Sequence, residues 1–587
     1  MSINEKCPES AIPRPEYPRM QFRRENSWQN LNGEWEFLPD PCGTGFQRGF
    51  FRSEQVFSMR ILVPFCMESE MSGLGIRDPY KAVWYRRKVD LPEEWQGKKI
   101  LLHAGGSDYL TTVWVDGEPA FRHVGGACSW SADVTRLLTP GREHVLTICC
   151  EDDLSTGLQA AGKQSDRYES YGCLFTRTTG IYGTVWVEAV ASEGLADVQM
   201  ETDIVTGTAT IRPSFYRFDP ECLLTVSLIR DGRNVAKAEC SCRPGVSLQL
   251  RDPSVRLWSP EDPFLYDLHF QIRRGDVMVD DVDSYLGFRE IRICGNRILL
   301  NDRPVFLRFV LDQGYYPEGV WTAPDDAALR RDIRLGLDSG FNGARLHQRV
   351  FEERFLYWAD RMGYLVISEC PDWRMNFLEP EACRRFGNEF REILLRDRNH
   401  PSIIVWTPLN ETFHNDAIRE EQQSVYRKIG QYDPMPNTTF YRDFVASLRA
   451  AARELDPTRP FHDASGGFHA ETDLCSRHFY AKDIDEFKLQ FCPGEPVDLP
   501  EPESPYAGQP WLIDEFGMIF PKADNLPDIA KQVRLMNGDP RCAGWCFTQL
   551  YDVEQETNGL FRYDRSAKFE EKLLRSIFAE KPSWSDF

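Results

Sequence analysis

From about Asn301 onward this chain repeats one pattern, a short β-branched run followed by an amphipathic helix. Strands that are apolar on both faces need helices on both sides, so the alternation predicts a parallel sheet. RPVFLRFVLDQG (303–314) reads as strand one and FNGARLHQ (341–348) as strand two, with the helix DDAALRRDIRLGLDSG (325–340) between them. The helix FEERFLYWADRMG (351–363) leads to strand three, GYLVISEC (363–370), and the helix 384–401 to strand four, SIIVWTPLNE (402–411). After the helix 440–457, PFHDASGG (460–467) and LCSRHFYA (474–481) read as strands five and six. PWLIDEFG (510–517) is strand seven, the helix 524–538 follows, CAGWCFTQL (542–550) is strand eight, and the last helix lies in 566–578. Eight such strands in about 290 residues predict a (β/α)8 TIM barrel.

Strands four and seven each end abruptly in a carboxylate, Glu411 and Glu515. A barrel presents such residues at the C-terminal mouth of its strands, where two carboxyls can face each other. Paired carboxyls at that place are the apparatus of glycoside hydrolysis. Repulsion from an ionised partner is expected to keep one of the two protonated near neutral pH.

The residues before the barrel read as β-structure. Short runs at 83–92, 98–106, 111–120, 144–153 and 183–190, separated by Gly, Pro and Asp, predict a first sandwich over residues 1–192. Runs at 222–233, 265–276 and 284–293, with turn signals at Asp231-Gly232 and Gly275-Asp276, predict a second, immunoglobulin-like sandwich over 193–293. The barrel then takes 294–587. The expected architecture is multidomain: β, β, then α/β.

A net charge of −21 disfavours contact with phosphate backbones, so no nucleic-acid partner is expected. The 15 Trp and 21 Tyr suit sugar stacking, although β-domain cores also use aromatics. The 17 Cys are odd in number and scattered, without the spacing of a zinc site. With no apolar segment near the N-terminus and no run of membrane-spanning length, a cytoplasmic protein without membrane contact or disulfides is expected. No GxxxxGK, GxSxG or HExxH motif is present.

The opening RPEYPRMQFRRENSWQNLNGEWEF (14–37), the phrases TRTTGIYGTVWVE (176–188), LWSPEDPFLYDL (257–268) and GFREI (287–291), and DRNHPSIIVWTPLNE (397–411) together resemble glycoside hydrolase family 2. The resemblance spans essentially the whole chain. It implies a jelly-roll-like sugar-binding sandwich, an immunoglobulin-like sandwich and a catalytic TIM barrel. It further implies a retaining double displacement with Glu515 as nucleophile and Glu411 as proton donor, and a carbohydrate substrate. No organic cofactor is implied, and family members are often homo-oligomers.

By the same resemblance Asn410 binds the sugar 2-hydroxyl; read alone it would serve equally as a helix cap. His478 and Tyr480 alternate on strand six and share a face, where the family orients its nucleophile; a core histidine is the alternative. Trp545 and Gln549 share a face of strand eight, where the family uses a Trp as the floor beneath the sugar; for Gln549, barrel packing is nearly as good a reading.

The chain also departs from the family. At strand two it reads Arg345-Leu346-His347-Gln348 in place of Arg-Thr-Ser-His, so Arg345 fits and His347 is displaced; both are candidate sugar contacts. Asp312 stands where a His is usual after strand one. The Asn-x-Lys element that holds a uronic carboxylate in β-glucuronidases is replaced by Asn558-Gly559-Leu560, leaving Arg562 as the nearby cation. This ranks a neutral sugar, a β-galactoside, first. A β-glucuronide or a furanoside (arabino- or galacto-) is the alternative, and a non-catalytic carbohydrate-binding protein ranks last. The acids Asp552, Glu554 and Glu556 suggest either a divalent cation or, more often, a solvated or sugar-binding loop.

Overall fold

The structure, a computed structural model, describes residues 12–582 except 53, 378, 413–437, 496, 498–505 and 520–524. The N-terminal stretch read above for a leader, up to residue 11, lies outside the described residues, as does the expected first residue of the helix 524–538.

The first sandwich packs a six-stranded sheet on a four-stranded one. Strand period explains its core. In Ala82–Asp90, Val83 and Tyr85 point between the sheets beside Trp35, Leu102 and Val187. Trp84 points the other way, into a small outer cluster with Phe50 and Trp114. The second sandwich has seven strands in sheets of three and four, the immunoglobulin-like count. Its hairpin Asp219–Arg230 to Arg233–Cys242 turns at Asp231 and Gly232, both left-handed (φ 51° and 72°), as Asp-Gly predicts. The sheets change over between Val190 and Leu195.

Strand one differs from expectation. Arg303–Val305 folds back antiparallel on Arg297–Leu300, turning at Asn301 and Asp302 with φ of 53° and 63°. The barrel strand itself is Leu307–Asp312. With Ile291–Cys294 this hairpin forms a three-stranded sheet whose Ile291, Ile298 and Leu300 pack against Leu307, Phe309 and Leu365.

Barrel strands two, three, four, six, seven and eight are Gly343–Leu346, Leu365–Glu369, Ile403–Thr407, Cys475–Phe479, Trp511–Phe516 and Cys542–Phe547. With strand one they form a curled parallel sheet in the spatial order four, three, two, one, eight, seven, six. Strand five shrinks to Ala464–Ser465, paired parallel with Leu409–Asn410 beyond the end of strand four. The helices follow local rules. Asp325 caps Asp326–Ser339 by accepting from Ala328 N at 2.8 Å, and Gly340 ends it at φ 105°. The helix expected from Arg384 starts earlier, as Pro380–Asp397, because Pro380 suits a first turn. No disulfide joins the described cysteines. No described helix is long and apolar enough to cross a membrane.

Candidate active site

Strands four and seven bring Glu411 and Glu515 to the same mouth, with His478 of strand six between them. Carboxylate oxygens of both glutamates and a ring nitrogen of His478 all lie within 4.8 Å of one another. His478 Nδ1 is 2.7 Å from Glu411 Oε1 and 3.5 Å from Glu515 Oε2. Its Nε2 faces Ser465 Oγ at 3.0 Å, and that hydroxyl donates to Asp514 Oδ2 at 2.5 Å. Burial alone would lower the imidazole pKa. The negative charges of Glu515 and Asp514, with the hydrogen bond to Glu411, outweigh burial and push it up to about 9. His478 is therefore an imidazolium at neutral pH, with both N–H groups donating.

Glu515 is held from two further sides. The Tyr480 hydroxyl donates to Oε2, and Arg345 donates to Oε1 at 2.8 Å. Burial would raise its pKa, but the charges of His478 and Arg345 hold the carboxyl well below the usual carboxylate range. Burial and the two glutamates push the Tyr480 phenol well up, so it stays a donor.

Arg345, 1% exposed, lies beneath the pair rather than beside an incoming sugar. Its fork donates to Glu515, to the Asp514 backbone O at 2.9 Å, to Asn410 Oδ1 at 2.5 Å, and through Nε to Glu369. Asn410 thus has its carbonyl fixed, while its buried Nδ2 has no partner among the described residues. His347 Nδ1 sits 2.9 Å from Glu369 Oε2. Burial, then the charges of Lys163 and Arg345, push the His347 pKa well below its ordinary value, so the ring is neutral.

Four expectations are corrected. Trp545 is not a floor beneath the sugar. Strand eight turns the small Gly544 and Cys546 toward the narrow barrel interior and Trp545 outward. There its indole packs against Phe341 and Phe578 and donates to Asn537 Oδ1 at 2.9 Å. Just past the end of strand eight, Thr548 Oγ1 lies 3.3 Å from the Tyr480 hydroxyl that holds Glu515. Gln549 lies beyond the strand's end, fully buried, and its amide donates to Asn558 Oδ1 at 2.7 Å. Asp312 is 1% exposed and taken up by the Tyr551 hydroxyl and Gly314 N; burial, then Asp332, raise its pKa to about 6. Arg562 is exposed and bonded within its own turn, to Ala567 O at 2.7 Å and Ser566 Oγ at 3.3 Å.

The acidic loop disperses its charges. Asp552 pairs with Lys568 at 2.6 Å, Glu554 accepts from Thr176 N at 3.1 Å, and Glu556 accepts from Asn558 Nδ2 at 3.1 Å. Among the described residues, two His-carboxylate groups are close enough to share an ion. One is the Glu411–His478–Glu515 cluster, whose imidazolium offers no lone pair; the other is His269, Asp281 and Asp283, apart from the mouth on the second sandwich.

The first sandwich lines part of the rim of this site. Its segment 154–178 runs along the rim, where Ala161 N donates to Trp373 O at 2.9 Å and Gly162 N to Pro371 O at 3.2 Å. Gly162 has φ +57°, and a Cβ there would meet Gln348 O at 2.2 Å. From the barrel side, Gln555 donates to Leu174 O at 3.0 Å and Arg374 pairs with Asp166 at 3.1 Å. The Trp373 indole donates to Asn410 O at 3.3 Å, so the segment reaches the residues after strand four through Trp373.

The model described as "Glycosyl hydrolases family 2, TIM barrel domain" matches residues 291–491, and "Glycosyl hydrolases family 2" matches 185–289. A β-glucuronidase of Paenibacillus borealis is 25% identical over 76% of this chain and 74% of its own length. A β-galactosidase of Thermoanaerobacter pseudethanolicus is 22% identical over 70% of this chain and 56% of its own length. The crystal structure of Ruminococcus gnavus β-glucuronidase superimposes with a TM-score of 0.78 at 21% identity, covering 96% of this chain and 100% of that one.

Proposed function

The chain belongs to glycosyl hydrolase family 2 and is a glycoside hydrolase, and from that premise we propose that it is a retaining exo-β-glycosidase releasing terminal β-glucuronic acid. The observation that carries the mechanism is the pair itself, Glu411 and Glu515 with oxygens within 4.8 Å and unlike surroundings. A retaining pair stands about 5–5.5 Å apart between carboxyls, whereas an inverting pair needs about 6.5–9.5 Å to admit a water.

Glu515, ionised and aimed by Arg345 and Tyr480, attacks the anomeric carbon to form a covalent glycosyl-enzyme. Glu411 protonates the departing oxygen and then takes a proton from the water that cleaves the intermediate. His478, bonded to Glu411, holds a proton beside it in the resting site. Asn410, its carbonyl spent on Arg345, has its amide N–H groups left for the sugar's 2-hydroxyl.

The neutral-sugar expectation rested on the missing Asn-x-Lys element. Named relatives favour a glucuronide instead: those from Paenibacillus borealis, Mus musculus and Rattus norvegicus are β-glucuronidases, and one from Thermoanaerobacter pseudethanolicus is a β-galactosidase.

The test is hydrolysis of a panel of aryl β-glucuronide, β-galactoside, β-glucoside and furanosides by wild type and Glu515→Ala. Glucuronide turnover that falls by several orders of magnitude in the variant and partly returns with azide supports both sugar and nucleophile. Turnover unchanged in Glu515→Ala overturns the mechanism, and a neutral sugar outpacing the glucuronide overturns the substrate.

A further inference from the structure

We propose that Lys163, supplied by the first sandwich, is the residue that recognises the carboxylate of the terminal sugar. The proposal rests on the β-glucuronide reading above and names the cation that reading requires.

A uronic carboxylate entering a dry cleft needs a positive partner. The strand-eight loop does not offer one among its described cations. Arg562 is turned into its own loop, Arg565 is paired with Asp332 at 2.9 Å, and Lys568 is held by Asp552 and two backbone carbonyls. Arg345 is fully engaged beneath the pair.

Lys163 is differently placed. It is 7% exposed, and lysines are almost never so buried without a partner. Its ammonium lies 5.6 Å from the Trp373 ring centre and 5.8 Å from that of Phe175, and makes no hydrogen bond or ion pair with the described residues. Trp373 is the residue bonded to the Asn410 carbonyl, so Lys163 borders a residue that touches the acid's neighbour, and its charge acts on Glu515. The flanking aromatic faces attract a cation without neutralising it. The backbone fixes the position, since Phe175 N donates to Lys163 O at 2.8 Å and Gly162 is pinned against Gln348. Burial would lower the ammonium pKa, but the charge of Glu556 and then of the two glutamates raises it, so Lys163 enters the reaction as a cation.

The arrangement supplies, from a segment about 400 residues away in sequence, the charge that the strand-eight loop lacks.

The experiment compares kcat/KM on 4-methylumbelliferyl β-glucuronide and on the β-glucoside, which differs only in carrying CH2OH for the carboxylate. Full-length wild type, Lys163→Met and Lys163→Arg are assayed, with thermal unfolding alongside. The expected result is a glucuronide-to-glucoside ratio that falls about 10- to 100-fold in Lys163→Met, mainly through KM, and partly recovers in Lys163→Arg. Parallel losses on both substrates, or a lowered melting temperature with the ratio intact, would make Lys163 a structural cation and overturn the proposal. A wild type that prefers the glucuronide while Lys163→Met keeps the same ratio overturns this inference alone. A wild type that does not prefer the glucuronide overturns the substrate reading, and this inference with it.

Discussion

Replacing His478 with Asn tests whether the resting site is built around a buried imidazolium. The side chain is 8% exposed and touches both glutamates, and its pKa is raised from 6.5 to about 9. That rise corresponds to about 3 kcal/mol of favourable interaction with the charged form. A Coulomb estimate for one opposite charge at about 4 Å and intermediate dielectric is also about 4 kcal/mol, so the two agree in scale. Because the folded-state pKa lies above the unfolded one, this stabilisation is fully present below pH 6.5 and is lost as pH rises through about 9. The stability gap between wild type and His478→Asn, measured by denaturant unfolding, should therefore shrink by about 3 kcal/mol from about pH 6 to about pH 9.5. The same substitution removes the largest charge holding Glu515 ionised. The acid limb of the kcat/KM profile should then climb by roughly one to two pH units. A stability gap independent of pH, together with an acid limb that does not move, would refute a charged His478.

Three further substitutions separate the roles of neighbouring groups. Glu411→Ala should lose roughly 10²- to 10⁴-fold on an alkyl glycoside but far less on a nitrophenyl glycoside, whose leaving group needs no proton; equal losses on both would remove Glu411 from the acid role. Tyr480→Phe deletes one charge-assisted donor to Glu515 and should lower kcat about 10- to 100-fold with little change in KM, read by steady-state kinetics. Trp545→Phe should cost about 1–3 kcal/mol of stability by denaturant melt while leaving KM for the sugar unchanged, because the indole faces the helices; a raised KM would return Trp545 to the sugar site.

The two glutamates were legible because their strands are buried on both faces. A charged residue ending such a run lies at the C-terminal end of the barrel, where it is either presented to the cleft, as Glu515 is, or taken up by neighbours, as Asp312 is. Trp545 was misplaced because the family's strand-eight Trp was assigned to it, and alternation, which sorts residues into two sets without saying which faces inward, could not correct that. The signal was in the small residues: Gly544 closes on Leu307 and Cys546 sits among the barrel's inner side chains, so the bulky pair had to go outside. The hairpin before strand one was written in Asn301-Asp302, a dipeptide that tolerates positive φ, but it was overshadowed by the apolar run after it. Strand five was read as eight residues, and it pairs in two pieces, a single parallel bridge from Phe461 to Trp406 and the pair Ala464–Ser465, with His462 and Asp463 between them bonded through their side chains to Ser476 and His469. Arg345 was picked out by the family's strand-two phrase, but as a sugar contact rather than as the support beneath the pair, and Lys163 lay beyond local pattern altogether. Their meaning depends on Glu369, Asp514 and Trp373, brought near by the closing of the barrel and the docking of the first sandwich.

The rim segment 154–178 has an evolutionary consequence. The strands that carry the glutamates must keep their spacing to within tenths of an ångström, so they tolerate little exploration. The rim is written in another domain and latched by a few backbone contacts and by the barrel side chains of Gln555, Arg374 and Glu554. Its sequence can drift or be exchanged between relatives without disturbing the reacting carboxylates. Were Lys163 to set the sugar preference as proposed, preference and reaction chemistry would reside in different domains of this architecture and could be inherited separately.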